Sequence, residues 1–192
     1  MNRITMFASM SFVVAVMPID VVASPIVEVK TDYYSVSGRT AKEIRNDLNR
    51  KTPVQENKVK YDGETTWSVE WDFWWNESHG RCSITNVTTK VDIQYILPKL
   101  AVATPLPQAL QQKWDNYMQA LTAHEVGHKN MGVGAANEIE QKIKSMASRP
   151  TCKQLESDAN RLGAEIITKY NYLDDEFDRR TNHGINDGVI FP

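Results

Sequence analysis

The residues best placed to do chemistry are His124-Glu125-Val126-Gly127-His128, an H-E-x-x-H pattern. In a helix, a spacing of four sets two imidazoles on one face, one turn apart, where both can grip a single ion. Glu125 is rotated from His124 by about 100° and so stays near that ion without ligating it. A carboxylate there can accept a proton from an activated water and pass it to a leaving amine. The pattern predicts a Zn2+ site with His124 and His128 as ligands and Glu125 as catalytic base. Tyr117, Leu121, His124, His128, Met131, Ala135 and Ile139 recur at steps of three and four, so the histidines belong to the inward stripe of their helix. Buried imidazoles need polar partners, and a shared ion serves both at once.

A catalytic zinc needs a third protein ligand and an open position. The residue six after His128 is Gly134, so the metzincin continuation of the motif is absent. His183 is the preferred third ligand, because it is the only histidine after the motif and Gly184 lets the chain turn tightly beside it. Glu156 and Glu165, on the next predicted helix, are the carboxylate alternatives; Asp175, Glu176 and Asp178 lie further downstream. Asp178 would then orient an imidazole from behind. His79 reads as a turn residue. Tyr170, Tyr172, Arg179 and Arg180 are the candidates for steadying a developing oxyanion.

These residues need elements to hold them. Val27 to Val36 reads as a strand and Thr40 to Asn49 as a short helix with Ala41, Ile44 and Leu48 on one side. Residues 50–64 carry Pro53 and Asp62-Gly63 and read as a loop. Thr65 to Trp75 and Cys82 to Leu97 read as an antiparallel hairpin around a turn at Asn76 to Gly80. Trp67, Trp71 and Trp75 are expected on one apolar face. A long helix is expected from Leu106 to Ser148 and another from Cys152 or Lys153 to Tyr170, followed by an irregular tail from Asn171 to Pro192. Gly127, Gly132 and Gly134 interrupt the long helix, implying tight helix packing or the close approach of another backbone or a substrate. The expected architecture is α+β: a small antiparallel β-sheet packed on the long H-E-x-x-H helix and further helices.

Among 192 residues, 41% are hydrophobic and 24% charged, which excludes a largely disordered chain and allows one core. A formal net charge of -2 offers no basic surface for nucleic acid. Residues 1–23 read as a signal peptide: Arg3 begins it, Ile4 to Met17 is its apolar stretch, and Val21-Val22-Ala23 ends at a cleavable position. That predicts a mature domain over residues 24–192, secreted to the periplasm or beyond, with no stable membrane insertion after cleavage. In such a compartment the two cysteines, Cys82 and Cys152, are expected to form an intramolecular disulfide.

The H-E-x-x-H helix, the acidic tyrosine-containing stretch after it and the Asp-x-x-Thr-x-His-Gly run at Asp178 to Gly184 resemble the bacterial family known as domain of unknown function 922. The resemblance covers most of the chain, tryptophan-rich hairpin and cysteine pair included. It implies a zincin-like secreted peptidase, acting on peptide or protein substrates, with the histidines above as ligands and Glu125 as base. A reading from another class is a non-catalytic, zinc-stabilised envelope binding protein that uses Trp67, Trp71, Trp74 and Trp75 as a contact surface.

Overall fold

The computed structural model describes residues 24–101 and 104–192; the expected signal peptide lies outside them. The described residues form an α+β fold, with a three-stranded sheet, a small two-stranded ribbon and three α-helices. β1 is Ile26–Val36, α1 Ala41–Lys51, β2 Gln55–Glu56, β3 Val59–Lys60, β4 Glu64–Ser78 and β5 Arg81–Leu100. α2 is Gln108–Lys144 and α3 Cys152–Thr181, and a 3-10 turn follows at Ile185–Asp187.

β5 has the clearest local cause. Val87, Thr89, Val91, Ile93, Tyr95 and Leu97 alternate along it and are all buried against the helices. β4 pairs with it antiparallel from Glu64 opposite Ile96 to Ser78 opposite Arg81. The hairpin closes on His79 and Gly80, both at positive φ, the conformation a tight two-residue turn demands. The turn is thus shorter than Asn76 to Gly80, and both strands run further than their composition suggests. A register shift between Trp74 and Trp75 leaves Thr85 of β5 without a partner. Trp67 and Trp71 face the helices; Trp75, opposite Ile84 and with its ring 5.7 Å from that of Phe73, continues the same face yet is exposed, as is Trp74.

The sheet is mixed rather than wholly antiparallel. β1 lies on the other side of β5 and pairs with it in parallel, from Ile26 opposite Lys90 to Val36 opposite Leu100. Parallel pairing needs a long crossover, and α1 through β4 supplies it. α1 is fixed by a capping box in which the Thr40 side chain accepts from Glu43 N–H and the Glu43 carboxylate accepts from Thr40 N–H. It buries Ile44 and Leu48. The segment read as loop between α1 and β4 contains the ribbon β2–β3, turning on Asn57 and Lys58 at positive φ.

α2 crosses beneath the sheet between two apolar clusters. One gathers Val36, Ile44, Leu48, Val91, Trp114, Tyr117 and Leu121, with Phe191 from the C-terminal segment. The other gathers Val87, Ala135, Ile139, Ile143, Ala159 and Ile166. The motif occupies the stretch of α2 between Leu121 and Ala135. The helix glycines answer to packing: a Cβ on Gly127 would come within 2.4 Å of the Phe177 ring, and one on Gly132 within 2.9 Å of Trp67.

α3 departs most from the expected pattern. It continues past Tyr170 to Thr181, so half of the supposed irregular tail is helix. Its stop is local, with Asn182 and His183 both left-handed and Gly184 at φ 79°. Its start is held by Thr151, whose hydroxyl accepts from Gln154 N–H at 3.2 Å, and by the Cys82–Cys152 disulfide, which joins it to β5.

Candidate metal centre

One helical turn brings His124 and His128 to the same face of α2, and both are buried. Asp178 reaches them from α3. His124 Nε2 lies 3.1 Å from Asp178 Oδ1, His128 Nε2 lies 3.2 Å from the same oxygen, and the two Nε2 atoms are 3.3 Å apart. Three potential ligand atoms thus form a nearly equilateral triangle. An ion held tetrahedrally at about 2.0–2.1 Å separates its ligands by about 3.3–3.4 Å, so the triangle has the dimensions zinc requires.

Charge leads to the same conclusion. Burial pulls the His128 imidazole down, but Asp174 and Asp178 outweigh it and push its pKa up to about 10. Burial also raises Asp178, yet its contacts with His124 and His128 hold it well below the usual carboxylate range. The site is therefore built to hold positive charge. The donor set fits a divalent ion such as zinc, which His124, His128 and Asp178 could hold.

The supports behind the triangle come from three elements. His128 Nδ1 donates to Asp174 Oδ1 at 2.8 Å, one turn before Asp178 on α3. The Trp67 indole N–H from β4 donates to Asp174 Oδ2 at 3.0 Å. Phe177 lies stacked on His124, with ring centroids 5.0 Å apart, and edge-on to His128. Asp62 anchors the loop before β4, accepting from Tyr117 Oη at 2.8 Å and from both terminal nitrogens of Arg45.

Glu125 is buried beside this loop. Thr65 Oγ1 donates to its Oε2 at 2.6 Å, and Gly63 leaves room beside its Oε1, since a Cβ there would come within 2.8 Å. Burial raises its pKa; the Thr65 hydroxyl and the two imidazoles act against that. A groove of about 680 Å³ opens over these groups, with Tyr61, His183 and Val59 among its lining residues.

His183 stands one step out from the triangle. Its Nδ1 is 3.3 Å from Asp178 Oδ2, the carboxylate oxygen turned away from the motif histidines, and its Nε2 is 3.4 Å from Tyr61 Oη. The atom converging on the two imidazoles belongs to Asp178, the residue expected behind a ligand. Glu156 and Glu165 are exposed, Glu156 about five helical turns before Asp174 and Glu165 paired to Arg161, and His79 is bonded to Ser78 at the hairpin tip. Tyr170 packs on Gly134, Tyr172 is exposed, Arg179 pairs with Glu176 and Arg180 lies over Phe177; none of the four lines the groove.

Asp174, Thr65, Gly63 and Tyr61 were not legible as site residues. Only Asp174 left a signal: it precedes Asp178 by four, the spacing that puts two carboxylates on one helical face. No curated protein and no solved structure gives a significant match to this chain. Residues 31–184, which hold the whole triangle and its supports, match the family described as bacterial protein of unknown function, DUF922. The chain belongs to that family.

Proposed function

We propose that this protein is a secreted zinc-dependent hydrolase of zincin-like type that cleaves peptide bonds. The triangle of His124 Nε2, His128 Nε2 and Asp178 Oδ1 carries the reading, because its edges and its charge suit one divalent ion. In this reading Asp178 is the third ligand and His183 steadies its outer oxygen. A bound zinc would supply an activated water and a Lewis-acid contact for a carbonyl.

The remaining work belongs to the chain. Glu125 takes a proton at Oε1, the oxygen that Thr65 leaves free, and returns it to the leaving amine. Burial favours its protonated form, which suits a group that must hold a proton briefly. Tyr61, at the groove wall beside His183, offers a hydroxyl to the carbonyl oxygen as charge develops there. Burial raises the pKa of that hydroxyl, with Glu56 and Asp178 adding to it, so it remains a donor at neutral pH.

The binding-protein reading draws support only from the exposure of Trp74 and Trp75, since Trp67 and Trp71 are committed to helix packing. Elemental analysis of the purified domain, with peptide hydrolysis assayed in parallel, separates the two. The expected result is one zinc per chain, retained in Glu125→Gln with turnover lost by about 10²–10⁴-fold. Asp178→Ala should lose the metal and His183→Ala should keep it. Folded protein without zinc would sink the metal reading, and zinc without hydrolysis would leave a binding protein.

A further inference from the structure

The two motif histidines are supported unequally. His128 presents Nε2 to the triangle and spends its Nδ1 proton on Asp174 at 2.8 Å. His124 also presents Nε2, but its Nδ1 is buried with no hydrogen-bond partner among the described residues, on a side chain only 5% exposed. If Nε2 gives its lone pair to an ion, the neutral ring must carry its proton on Nδ1. That N–H then points into the protein without an acceptor, an arrangement buried polar groups seldom tolerate.

Among the described residues the nearest carboxylate belongs to Asp187, whose Oδ2 is 4.0 Å from His124 Nδ1. Asp187 ends the 3-10 turn after α3, and this turn is pressed onto His124: a Cβ on Gly184 would come within 3.0 Å of His124 Cγ. The turn is held by Asp187 N–H and Val189 N–H, which both donate to Gly184 C=O, at 2.9 and 3.0 Å. The Asp187 side chain is half exposed and unencumbered, so a swing of about 1 Å brings it into hydrogen-bond range. Asp187 lies beyond the segment that matches the family.

We propose that Asp187 is the positioning residue for His124, accepting its Nδ1 proton when Nε2 ligates the ion, as Asp174 does for His128. The inference rests on the zinc reading above. It makes the C-terminal turn part of the metal centre rather than a trailing end. A carboxylate behind a ligating imidazole fixes the ring's tautomer and direction and raises its basicity.

The test is zinc affinity of the purified chain, measured by competition with a chromophoric chelator. Asp187→Ala should weaken zinc by about 10–100-fold, and Asp187→Asn should recover most of the loss, because an amide oxygen still accepts the proton. Equal affinity in Asp187→Ala and the unaltered chain would overturn the proposal and leave the zinc reading intact. Equal losses in Asp187→Ala and Asp187→Asn would overturn it too. Failure of the unaltered chain to bind zinc would instead refute the reading beneath it. Should Asp187→Ala not fold, nitrogen-15 NMR of the zinc-loaded unaltered chain decides: a protected, hydrogen-bonded Nδ1 proton on His124 supports the proposal, and an exchanging one overturns it.

Discussion

Trp67 and Asp174 join the sheet to the candidate metal centre: the indole N–H donates to Asp174 Oδ2 while Oδ1 of the same carboxylate holds His128. The hairpin tryptophan is thus a hydrogen-bond support of the site as well as core. Trp67→Phe keeps most of the ring's apolar bulk and removes only this donor. It should cost about 1.5–3 kcal/mol of stability, as for a bond to a charged acceptor, read by urea unfolding. Zinc affinity should fall with it, because Asp174 loses the group that fixes its angle. Unchanged affinity would limit Trp67 to packing.

Gly127 sets how closely α3 approaches α2. A methyl there would overlap Phe177, which stacks on His124 and lies next in sequence to Asp178. Gly127→Ala gains roughly 1 kcal/mol of helix propensity, yet should be net destabilising by about 1–3 kcal/mol through overpacking. Zinc affinity should drop more than stability does, since the displaced segment carries Asp178, the proposed third ligand. A chelator titration beside a thermal melt compares the two, and a stabilised variant with full affinity would contradict the account.

The Cys82–Cys152 disulfide spans 70 residues of sequence and ties the start of β5 to the start of α3. Removing it should cost about 4 kcal/mol on the chain-entropy model. The backbone pairing of Cys82 with Arg149, at 2.8 and 2.9 Å, already holds the same two segments together, which argues for folded but weakened protein rather than collapse. Urea midpoints with and without reductant measure the cost.

Asp47 gives the fold an acid-sensitive point outside the groove of the candidate site. Burial raises its pKa, but Arg50, Lys51 and the Ser37 N–H and hydroxyl outweigh it and hold the carboxyl well below the usual range. A folded-state pKa depressed in this way contributes stability that is complete above the unfolded value of about 3.9 and is lost as pH falls through the folded one. Thermal melts between about pH 6 and pH 2 should therefore fall less steeply for Asp47→Asn than for the unaltered chain. Parallel slopes would remove Asp47 from the account.

Features that depend on local period and local chemistry could be read from the order of residues alone. Four-residue spacing put His124 and His128 together, alternation made β5 a strand with Val91 and Ile93 inward, and Thr40 with Glu43 set the start of α1. The parallel seat of β1 was not legible, because nothing local to Ile26–Val36 records which way its neighbour runs. The length of α3 was partly so: Phe177 and Thr181 continue its inward stripe and Asn182 marks its stop, but the acidic run at Asp174, Asp175 and Glu176 masked that period. Only tertiary structure decided that the oxygen meeting the two histidines comes from Asp178 and that His183 stands behind it. Residues 50 or more positions apart are brought within 3.2 Å by helix packing on Gly127, and a packing distance has no periodicity to read.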